Sequence, residues 1–214
     1  MGNNEIYVCV EYWYENGKKH RDGDKPAHIE YYNMNVKHQE YWYQNDKIHR
    51  DGDMPAHILY DDNGLKNQEY WYQHDKIHRD DDKPACIRYK NNNVVLLSWY
   101  KNDKIHREGG KPAIIKQDYD GTIYSQTWYL RGKMYSPLAS DFPGKEDEIE
   151  DGYRPAWIEY FSSKKYTQYT WVKPDIRICK LKYDNQLDRE KYQMELKTSK
   201  FINDFNNSSN ECKI

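Results

Sequence analysis

The chain has 214 residues, a formal net charge of −2 at pH 7 and a pI near 6.5. Proteins that bind polyanions without sequence preference are clearly basic, so this charge balance argues against that class. Hydrophobic residues make up only 37% of the chain, but aromatic residues reach 15%. We therefore expect a folded protein that buries large rings instead of an aliphatic core.

Targeting signals and paired cysteines are not evident in the sequence. No apolar run approaches ~18 residues, so no transmembrane helix is predicted. Residues 1–14 lack the basic and apolar regions of a secretory signal peptide. The four cysteines form no Cys-x-x-Cys pair, so neither a disulfide framework nor a zinc site is expected. We expect a reduced, intracellular protein that is not secreted.

A repeat of 28 or 29 residues organises the chain. Tryptophan recurs at steps of 29, 29, 28 and 29 residues before one longer step, and proline recurs with it. The positions are Trp13, Trp42, Trp71, Trp99, Trp128 and Trp171, with Pro26, Pro55, Pro84, Pro112 and Pro155. A fixed period of this length indicates a repeat architecture in which each unit contacts its neighbours. The sequence predicts about six units over residues 1–183.

Each unit is predicted to contain two kinds of β-strand. The chain opens with a strand over residues 6–15, which is rich in β-branched and aromatic residues. After each proline the pattern alternates: in the first copy Ala27, Ile29 and Tyr31 share one face, which we expect to be the core, while His28 faces the other way.

The second kind of strand contains the tryptophan. Because the tryptophan never varies between copies, we place it on the packed face of this strand. The tyrosines that follow it are predicted to form a ladder on the opposite face. They are Tyr14, Tyr43, Tyr72, Tyr100 and Tyr129.

Turn residues separate these strands at fixed distances. One group of turns, seven residues after each proline, ends in a residue that tolerates a positive φ angle. These residues are Asn35, Gly64, Asn93 and Gly121. A second group, four residues after each tryptophan, consists of Gly17, Asp46, Asp75, Asp103, Gly132 and Asp175. Together the two groups predict an antiparallel meander of hairpins.

One stretch interrupts the repeat. The distance from Trp128 to Pro155 is longer than the equivalent distance in earlier copies. This difference predicts an acidic, proline-containing insertion at residues 136–152. The insertion is either a solvated loop or a contact loop for a partner.

The β-pattern stops after Tyr183, and a C-terminal helix is predicted over residues 184–205. It would carry Phe201 and Phe205 on one side. Such a helix would cover the edge of the array or dock on a second copy. Residues 206–214 are expected to be frayed.

The repeat unit resembles a known family. Trp42-Tyr43, Lys47, His49-Arg50 and Pro55-Ala56, with their equivalents in the first, third and fourth copies, fit the pattern W-Y-x-N-[GD]-K-x-H-R-[DE]-x-x-x-P-A-x-I. This unit resembles the MORN-like repeat proteins, in particular the H-R-x-x-G-P-A variant of amoeba-infecting large DNA viruses of the Marseillevirus and Mimivirus type. The resemblance covers about residues 6–183.

The resemblance implies an all-β, elongated, single-layer array of antiparallel β-hairpins that acts as an interaction or scaffolding module. It also implies dimer formation and no enzymatic activity, and association with membranes or lipid head groups has been proposed in the broader family. A viral origin would place the protein in the cytoplasm of a host cell or in the virion.

The candidate interaction residues include the repeated His-Arg pairs, which are His20-Arg21, His49-Arg50, His78-Arg79 and His106-Arg107. Near-copies without a serine or cysteine nucleophile do not form one catalytic constellation, so no catalytic residue is predicted. Strand spacing of ~4.7 Å or more keeps these histidines from sharing a metal, so no metal site is predicted. We expect the arginines to bond carboxylates in the same or the next unit and to lie over aromatic faces, while the histidines bond backbone. The other interpretation is a regular surface that reads an anionic or repetitive partner.

The sequence therefore predicts a non-enzymatic repeat scaffold without a cofactor, which mediates protein–protein interaction and self-associates as a homodimer. The partner protein is not identified. Further candidate interface residues are Tyr43, Tyr72, Tyr100, Phe201 and Phe205. The leading alternative is a module that binds nucleic acid or anionic lipid phosphates through the Lys-x-His-Arg stripe.

Overall fold

The structure, a computed structural model, describes residues 9–33, 36–138, 153–161, 166–172 and 177–183. Backbone contacts divide the chain into two compact units, residues 1–105 with 117–122, and residues 106–116 with 123–214. All regular secondary structure in the described residues is β-strand, so the all-β prediction is confirmed. None of the described chain forms a helix of the length and apolarity that a bilayer crossing requires.

Several predictions fall outside the described residues. These are the C-terminal helix at 184–205 with Phe201 and Phe205, the tail at 206–214, and the turns at Asn35 and Asp175. Most of the insertion predicted at 136–152 also lies outside them.

The strands alternate between longer strands and pairs of two-residue strands. In chain order they are β1 (Cys9–Tyr12), β2 (Tyr14–Glu15), β3 (Lys18–Lys19), β4 (His28–Asn33), β5 (Val36–Tyr41), β6 (Tyr43–Gln44), β7 (Lys47–Ile48), β8 (His57–Tyr60), β9 (Lys66–Tyr70), β10 (Tyr72–Gln73), β11 (Lys76–Ile77), β12 (Cys86–Lys90), β13 (Asn93–Ser98), β14 (Tyr100–Lys101), β15 (Lys104–Ile105), β16 (Ile114–Gln117), β17 (Ile123–Thr127), β18 (Tyr129–Leu130), β19 (Lys133–Met134), β20 (Trp157–Phe161), β21 (Tyr166–Val172) and β22 (Arg177–Tyr183).

The first unit contains an antiparallel meander. Its longer strands pair in the order β1-β4-β5-β8-β9-β12-β13, which is also their order in the chain. Each pair is antiparallel. Every repeat contributes one strand after its proline and one strand before its next tryptophan, as the alternation and turn signals predicted. The hairpin part of the predicted fold is therefore confirmed.

The tryptophans of the first five repeats lie between two strands, not inside one as the sequence suggested, whereas Trp171 lies inside β21 as predicted. Tyr41 ends β5, Trp42 is outside any strand, and Tyr43 begins the short hairpin β6-β7. The backbone N–H of Trp42 donates to the carbonyl of Ala56 in the next repeat (2.9 Å). The chain therefore leaves the sheet at the tryptophan and makes a small two-stranded hairpin in each of the first five repeats.

The turns of the short hairpins match the prediction for the second group. Asn45 and Asp46 have φ angles of 51° and 69°, and the equivalent pairs also have positive values. Two successive residues at positive φ form the mirror-image turn that suits the twist of a two-residue hairpin loop. Gly, Asn and Asp recur at these positions because they adopt positive φ at low cost.

The first group of turns needs one correction. Gly64 and Gly121 have φ angles of 76° and 87°, as predicted. In the third repeat, however, the positive φ angles belong to Asn91 (50°) and Asn92 (64°), whereas Asn93 is the first residue of β13. The prediction for Asn93 was wrong because Lys90 pairs with Asn93, which leaves a loop of only two residues.

One face of the first unit's sheet alternates isoleucine with glutamate. Glu40 lies opposite Ile29 and Ile58 in register, and Glu69 lies opposite Ile58 and Ile87. Both glutamates are buried. Glu40 accepts hydrogen bonds from the Nζ atom of Lys37 and the hydroxyl of Tyr60, each at 2.6 Å. These charge-assisted bonds satisfy a carboxylate that would otherwise be costly to bury.

The tryptophans close the core on the Ala-Ile face. Trp42 packs with Ala56 and Ile58, and Ile48 and Tyr72 pack against this group. The alanine after each proline is 0% exposed in all five copies. The expectation of a core on this face is therefore confirmed.

The opposite face is also packed, which the alternation did not predict. The rings of Tyr12, His28, Tyr41, His57 and Tyr70 follow one another across five neighbouring strands. Successive centroids are 4.6, 5.1, 3.9 and 5.4 Å apart. We call this row the ring stack. It leaves His28 and His57 only 8% exposed, because each ring is covered by a tyrosine on both sides.

The second unit continues the same pattern with different side chains. Strands β17, β20, β21 and β22 pair antiparallel in that order. Most residues of β16 also belong to this unit, and β16 stands before β17 in the strand order of the sheet. Ser136, in the place of the arginine of earlier copies, accepts a hydrogen bond from the backbone N–H of Val172 (2.8 Å). The backbone N–H of Arg154 donates to the carbonyl of Pro137 (2.8 Å). The array therefore extends to Leu138, two residues beyond the predicted start of the insertion.

The indole hydrogen bonds give a test of the core. Trp71→Phe keeps a ring but removes the N–H that donates to the carbonyl of Asp53 (3.0 Å). We expect this substitution to lower the free energy of unfolding by about 1–2 kcal/mol, measured from urea unfolding. Trp13→Phe is the matched control, because its indole is partly exposed and has no preceding repeat in the described residues. Equal losses in the two variants would contradict a role for the indole bond.

Candidate functional site

The described part of the chain has recurring clefts between neighbouring repeats. A cleft of about 440 Å³ lies between the first and second repeats, and one of about 240 Å³ lies between the second and third. The first is lined by His20, Arg21, Asp22, Gly23, Asp24, Trp42, Tyr43, Gln44, His49, Arg50, Asp51, Gly52 and Met54. Equivalent positions line the second. We call these the His-Arg clefts.

Arginine closes each cleft by binding a carboxylate of the preceding repeat. The Nε and Nη2 atoms of Arg50 donate to the two carboxylate oxygens of Asp24 at 2.6 and 2.8 Å. Its Nη1 atom donates to the carbonyl of Pro55 (3.0 Å). The guanidinium lies 3.9 Å from the ring centre of Trp42. All three nitrogens and one face of this guanidinium therefore contact its own or the preceding repeat.

The third repeat has the same arrangement with one added cation. Arg79 donates to both carboxylate oxygens of Asp53 at 2.6 and 3.1 Å, and Lys83 donates to the same carboxylate at 2.8 Å. These bonds, with that to Arg79 the largest cause, lower the pKa of Asp53 to about 2. The hydrogen bond from Arg50 lowers the pKa of Asp24 in the same way. Both carboxylates are therefore ionised at neutral pH and neutralise the arginines.

The aspartate whose carboxylate binds the arginine also accepts a hydrogen bond through its backbone carbonyl. The indole N–H of Trp42 donates to the backbone carbonyl of Asp24 (3.3 Å), and that of Trp71 donates to Asp53 (3.0 Å). Asp24 and Asp53 have positive φ angles of 54° and 56°. The turn therefore presents the carbonyl to the indole and the carboxylate to the arginine of the same neighbouring repeat.

The histidine of each pair contacts the next short hairpin. The Nδ1 atom of His20 accepts the backbone N–H of Asn45 (3.3 Å), and its Nε2 atom is 3.0 Å from Oδ1 of Asp22. A backbone N–H can only donate, so Nδ1 carries no proton and the neutral ring donates from Nε2 to the aspartate. His49, with His74 and Asp51, repeats this geometry.

An aspartate in the turn of each of these short hairpins forms two hydrogen bonds with the preceding hairpin. The backbone N–H of Ile48 donates to Oδ1 of Asp75 (2.7 Å), and the N–H of Asp75 donates to the carbonyl of Ile48 (3.0 Å). Lys19 and Asp46 form the equivalent pair. Aspartate at the turn thus does more than permit a positive φ angle, because its side chain ties successive hairpins together.

One group of side chains in the described residues has ligand atoms close enough together to form a metal site. Ligand atoms of Glu15, His20 and Asp22 lie within 4.8 Å of one another. Glu15 is special to the first repeat, since glutamine occupies its position in the second and third. The tautomer of His20 argues against a metal, because its Nε2 atom carries the proton and its Nδ1 atom is used by Asn45. We assign this group to hydrogen bonding between His20 and the two carboxylates.

The two His-Arg clefts are lined mainly by carboxylates, histidines, arginines and aromatic rings. Their linings have no serine, threonine or cysteine to act as a nucleophile. Each histidine faces an exposed carboxylate on one side and backbone on the other. Because the same groups recur from cleft to cleft, no single cleft is distinguished as a reaction centre.

The remaining predicted residues occupy equivalent places. Tyr43 and Tyr72 line the two clefts, and Tyr100 begins β14. In the second unit, the Nδ1 atom of His106 accepts the backbone N–H of Arg131 (3.0 Å), and Arg107 donates to the carbonyl of Pro112 (3.1 Å). Arg21 lies 3.7 Å from the ring centre of Trp13.

Sequence reasoning missed the ring stack. The signal that could have revealed it is a histidine directly after Pro-Ala in the first two repeats. Cross-strand pairing places this histidine beside the tyrosine that precedes tryptophan. The sequence also did not reveal that Asp24 and Asp53 are the arginine partners, because several aspartates are present in each loop.

No protein-family model matches the chain, and no curated protein matches it.

The arginine pairs give a test of the cleft. Asp53→Asn should lower the free energy of unfolding by about 1 kcal/mol at pH 7, because it leaves Arg79 without its carboxylate. The difference from wild type should shrink as the pH falls from about 4 towards 2, where Asp53 takes up its proton. Asp22→Asn is the matched control, since Asp22 is highly exposed and bonds no arginine. Urea unfolding at pH 7 and pH 2.5 measures both, and equal effects of the two variants would contradict this role of Asp53.

The ring stack gives a separate pH test. Burial lowers the pKa of His57 to about 4, below the ~6.5 of an unfolded chain. The unfolded state therefore binds the proton first, and stability should fall as the pH falls from about 6.5 to 4.

His57→Cys copies Cys86, the residue at the equivalent position of the third repeat, and should flatten this slope. Urea midpoints at pH 7, 6, 5 and 4.5 measure it in both proteins. Burial also lowers the pKa of His28, so a smaller slope should remain in the variant. An unchanged slope would show that His57 is not the group responsible.

Proposed function

We propose that this chain is a non-enzymatic repeat scaffold that mediates protein–protein contacts and self-associates. The observation that carries the proposal is that the polar groups of the His-Arg clefts are used to hold neighbouring repeats together. Arg50 and Arg79 side chains are 10% and 15% exposed and bind carboxylates of the preceding repeat. A structure whose recurring polar groups serve its own assembly fits a rigid platform better than a reaction site.

The platform presents regular rows of charge for a partner. Lysine begins the second strand of each short hairpin and is exposed at positions 18, 47, 76 and 104. The carboxylates of Asp22, Asp51 and Asp80 are 85%, 81% and 68% exposed. Neighbouring repeats are two strands apart, which corresponds to about 9.5 Å. Such a surface suits a partner that is itself repetitive.

The resemblance to MORN-like viral repeats supports the more specific part of the proposal. On that basis we place the protein inside a host cell or in a virus particle, where an array of identical contacts would serve as a structural element. The predicted C-terminal helix, at residues 184–205, would join two copies as a homodimer.

Binding to nucleic acid or to anionic lipid phosphates is the second candidate. The exposed lysine row favours it, because lysine binds phosphate as a point charge. The arginines and histidines argue against it, since aspartates neutralise Arg50 and Arg79 and the histidines use both ring nitrogens. The row of exposed carboxylates beside the lysines would also repel a phosphate backbone.

Light scattering with absorbance at 260 and 280 nm on the same peak tests both candidates. The scaffold proposal expects a mass at least twice the 26.0 kDa of one chain, without excess absorbance at 260 nm. It also expects this mass to persist between 50 and 300 mM salt, because apolar burial is less sensitive to screening than phosphate contact.

A matched pair of variants separates the two outcomes. Replacing Lys47, Lys76 and Lys104 by glutamine should leave the mass unchanged, whereas truncation before Asp184 should reduce it to that of a monomer. A monomer that carries nucleic acid, and loses it in the lysine variant, would overturn the scaffold proposal in favour of the second candidate.

A further inference from the structure

Strand β1 has a free edge in the part of the chain that the structure describes. It pairs with β4 on one side only. The equivalent strands of the next two repeats, β5 and β9, each pair on both sides. An unpaired edge offers backbone donors and acceptors to an added strand.

The inner repeats show what occupies this edge elsewhere. In five copies the backbone N–H of the alanine after proline donates to the carbonyl of the residue before tryptophan, at 2.6–2.9 Å. The pairs are Ala27 to Tyr41, Ala56 to Tyr70, Ala85 to Ser98, Ala113 to Thr127 and Ala156 to Thr170. Tyr12 is the equivalent acceptor of the first repeat, and no alanine precedes it in the described residues.

The backbone of β1 is oriented to use this edge. The N–H of Trp13 donates to the carbonyl of Ala27 (2.9 Å), so Trp13 points towards the sheet. Backbone groups alternate in direction along an antiparallel strand, so those of Tyr12 and Val10 point outward. The edge strand contains no proline or lysine that would block pairing.

The side chains at this edge are those that an added strand would cover. Tyr41 is stacked between His28 and His57, at 5.1 and 3.9 Å, whereas Tyr12 stacks on one histidine, His28, at 4.6 Å. The Nζ atom of Lys19 also lies 5.0 Å from the ring centre of Tyr12. Tyr12 is 47% exposed and Val10 is 37% exposed. The last ring in the stack therefore keeps exposed surface that a flat side chain could cover.

We propose that β1 is a docking edge for one extended segment of another protein, added antiparallel and having the chemistry of the strand that follows each proline. That chemistry is Pro-Ala-ring-Ile, in which the alanine N–H meets the carbonyl of Tyr12 and the ring stacks on Tyr12. This inference rests on the proposed scaffold function and names the class of partner.

A second copy of the chain fits this edge less well. The strands after proline in the first unit, β4, β8 and β12, are already paired on both sides. A second copy would have to offer β1 or β22, which have one partner each in the described residues, and neither follows a Pro-Ala pair. In the register that pairs Val10 of one copy with Tyr12 of the other, the two Glu11 side chains face each other. Like charges directly opposite are unfavourable in an antiparallel pair.

Binding of a synthetic peptide tests the inference. The peptide has the sequence of residues 24–32, DKPAHIEYY, and calorimetry measures its binding to the full chain. We expect saturable binding with one site per chain. Methylation of the alanine nitrogen in the peptide should weaken binding at least about tenfold, because it removes the donor to Tyr12.

The matched variants of the protein are Val10→Pro and Val10→Ala. Proline removes an outward N–H that β4 does not use, so the variant should lose peptide binding at least about tenfold while its melting temperature stays close to that of Val10→Ala. The alanine variant keeps the N–H and should bind within about threefold of wild type. Absence of binding to the wild-type chain, or equal binding by both variants, overturns the inference.

Light scattering of the same variants separates this inference from the proposed function. A wild-type oligomer that persists in Val10→Pro, together with failure of the peptide to bind, would refute the docking edge and leave the scaffold function standing. Conversion of the oligomer to a monomer by Val10→Pro, but not by Val10→Ala, would show that a second copy occupies the edge and would also overturn the peptide proposal.

Discussion

The contact between a loop aspartate and the next repeat is the interaction on which the first unit depends. Asp53 gives its backbone carbonyl to the indole of Trp71 and its carboxylate to Arg79, which itself lies over that indole. An exposed ion pair alone would stabilise the structure very little. Here the arginine is largely covered by the tryptophan. The ion pair, the contact between guanidinium and indole, and the indole hydrogen bond therefore all stabilise the same arrangement of aspartate, tryptophan and arginine.

This arrangement explains how a chain with few aliphatic residues folds. The sheet of the first unit is packed on both faces, by tryptophan, alanine and isoleucine on one and by the ring stack on the other. Rings bury a large area per residue and have few rotatable bonds, so they give up little conformational entropy on burial. Glutamates on the isoleucine face are tolerated because lysine and tyrosine satisfy their oxygens.

Much of this fold could be predicted because the same sequence signals recur in each repeat, so every copy checks the interpretation of the others. The period of tryptophan and proline, the alternation after proline and the positive-φ turn residues all depend on local chemistry. The exit of the chain from the sheet at tryptophan could not be predicted, because it depends on a hydrogen bond to the next repeat. Asn93 was misassigned because three successive asparagines tolerate a positive φ equally well, and only the register of the hairpin selects two of them.

The residue types of the candidate site could be predicted from the sequence, but the hydrogen bonds between them could not. The His-Arg pairs were identified by recurrence, and their residue types indicated ion pairs and backbone bonds. Which aspartate binds Arg50 was not decided by spacing, since Asp22, Asp24 and Asp51 all lie close in sequence or in the neighbouring loop. The tautomer of His20 also required the structure, because it follows from a backbone N–H of the next repeat.

The position of Asp24 and Asp53 is occupied by Gly110 in the fourth repeat, and the fifth repeat correspondingly has Ser136 in place of the arginine. Acid and base are thus both absent at this one junction. Repeats that carry both an acid for the next copy and an arginine for the previous copy are interchangeable, so whole copies can be gained or lost in that block without leaving a charge unpaired. The fifth copy lacks this property. Adding a copy among the early repeats would therefore add a matched acid and base, whereas adding a copy of the fifth repeat would not.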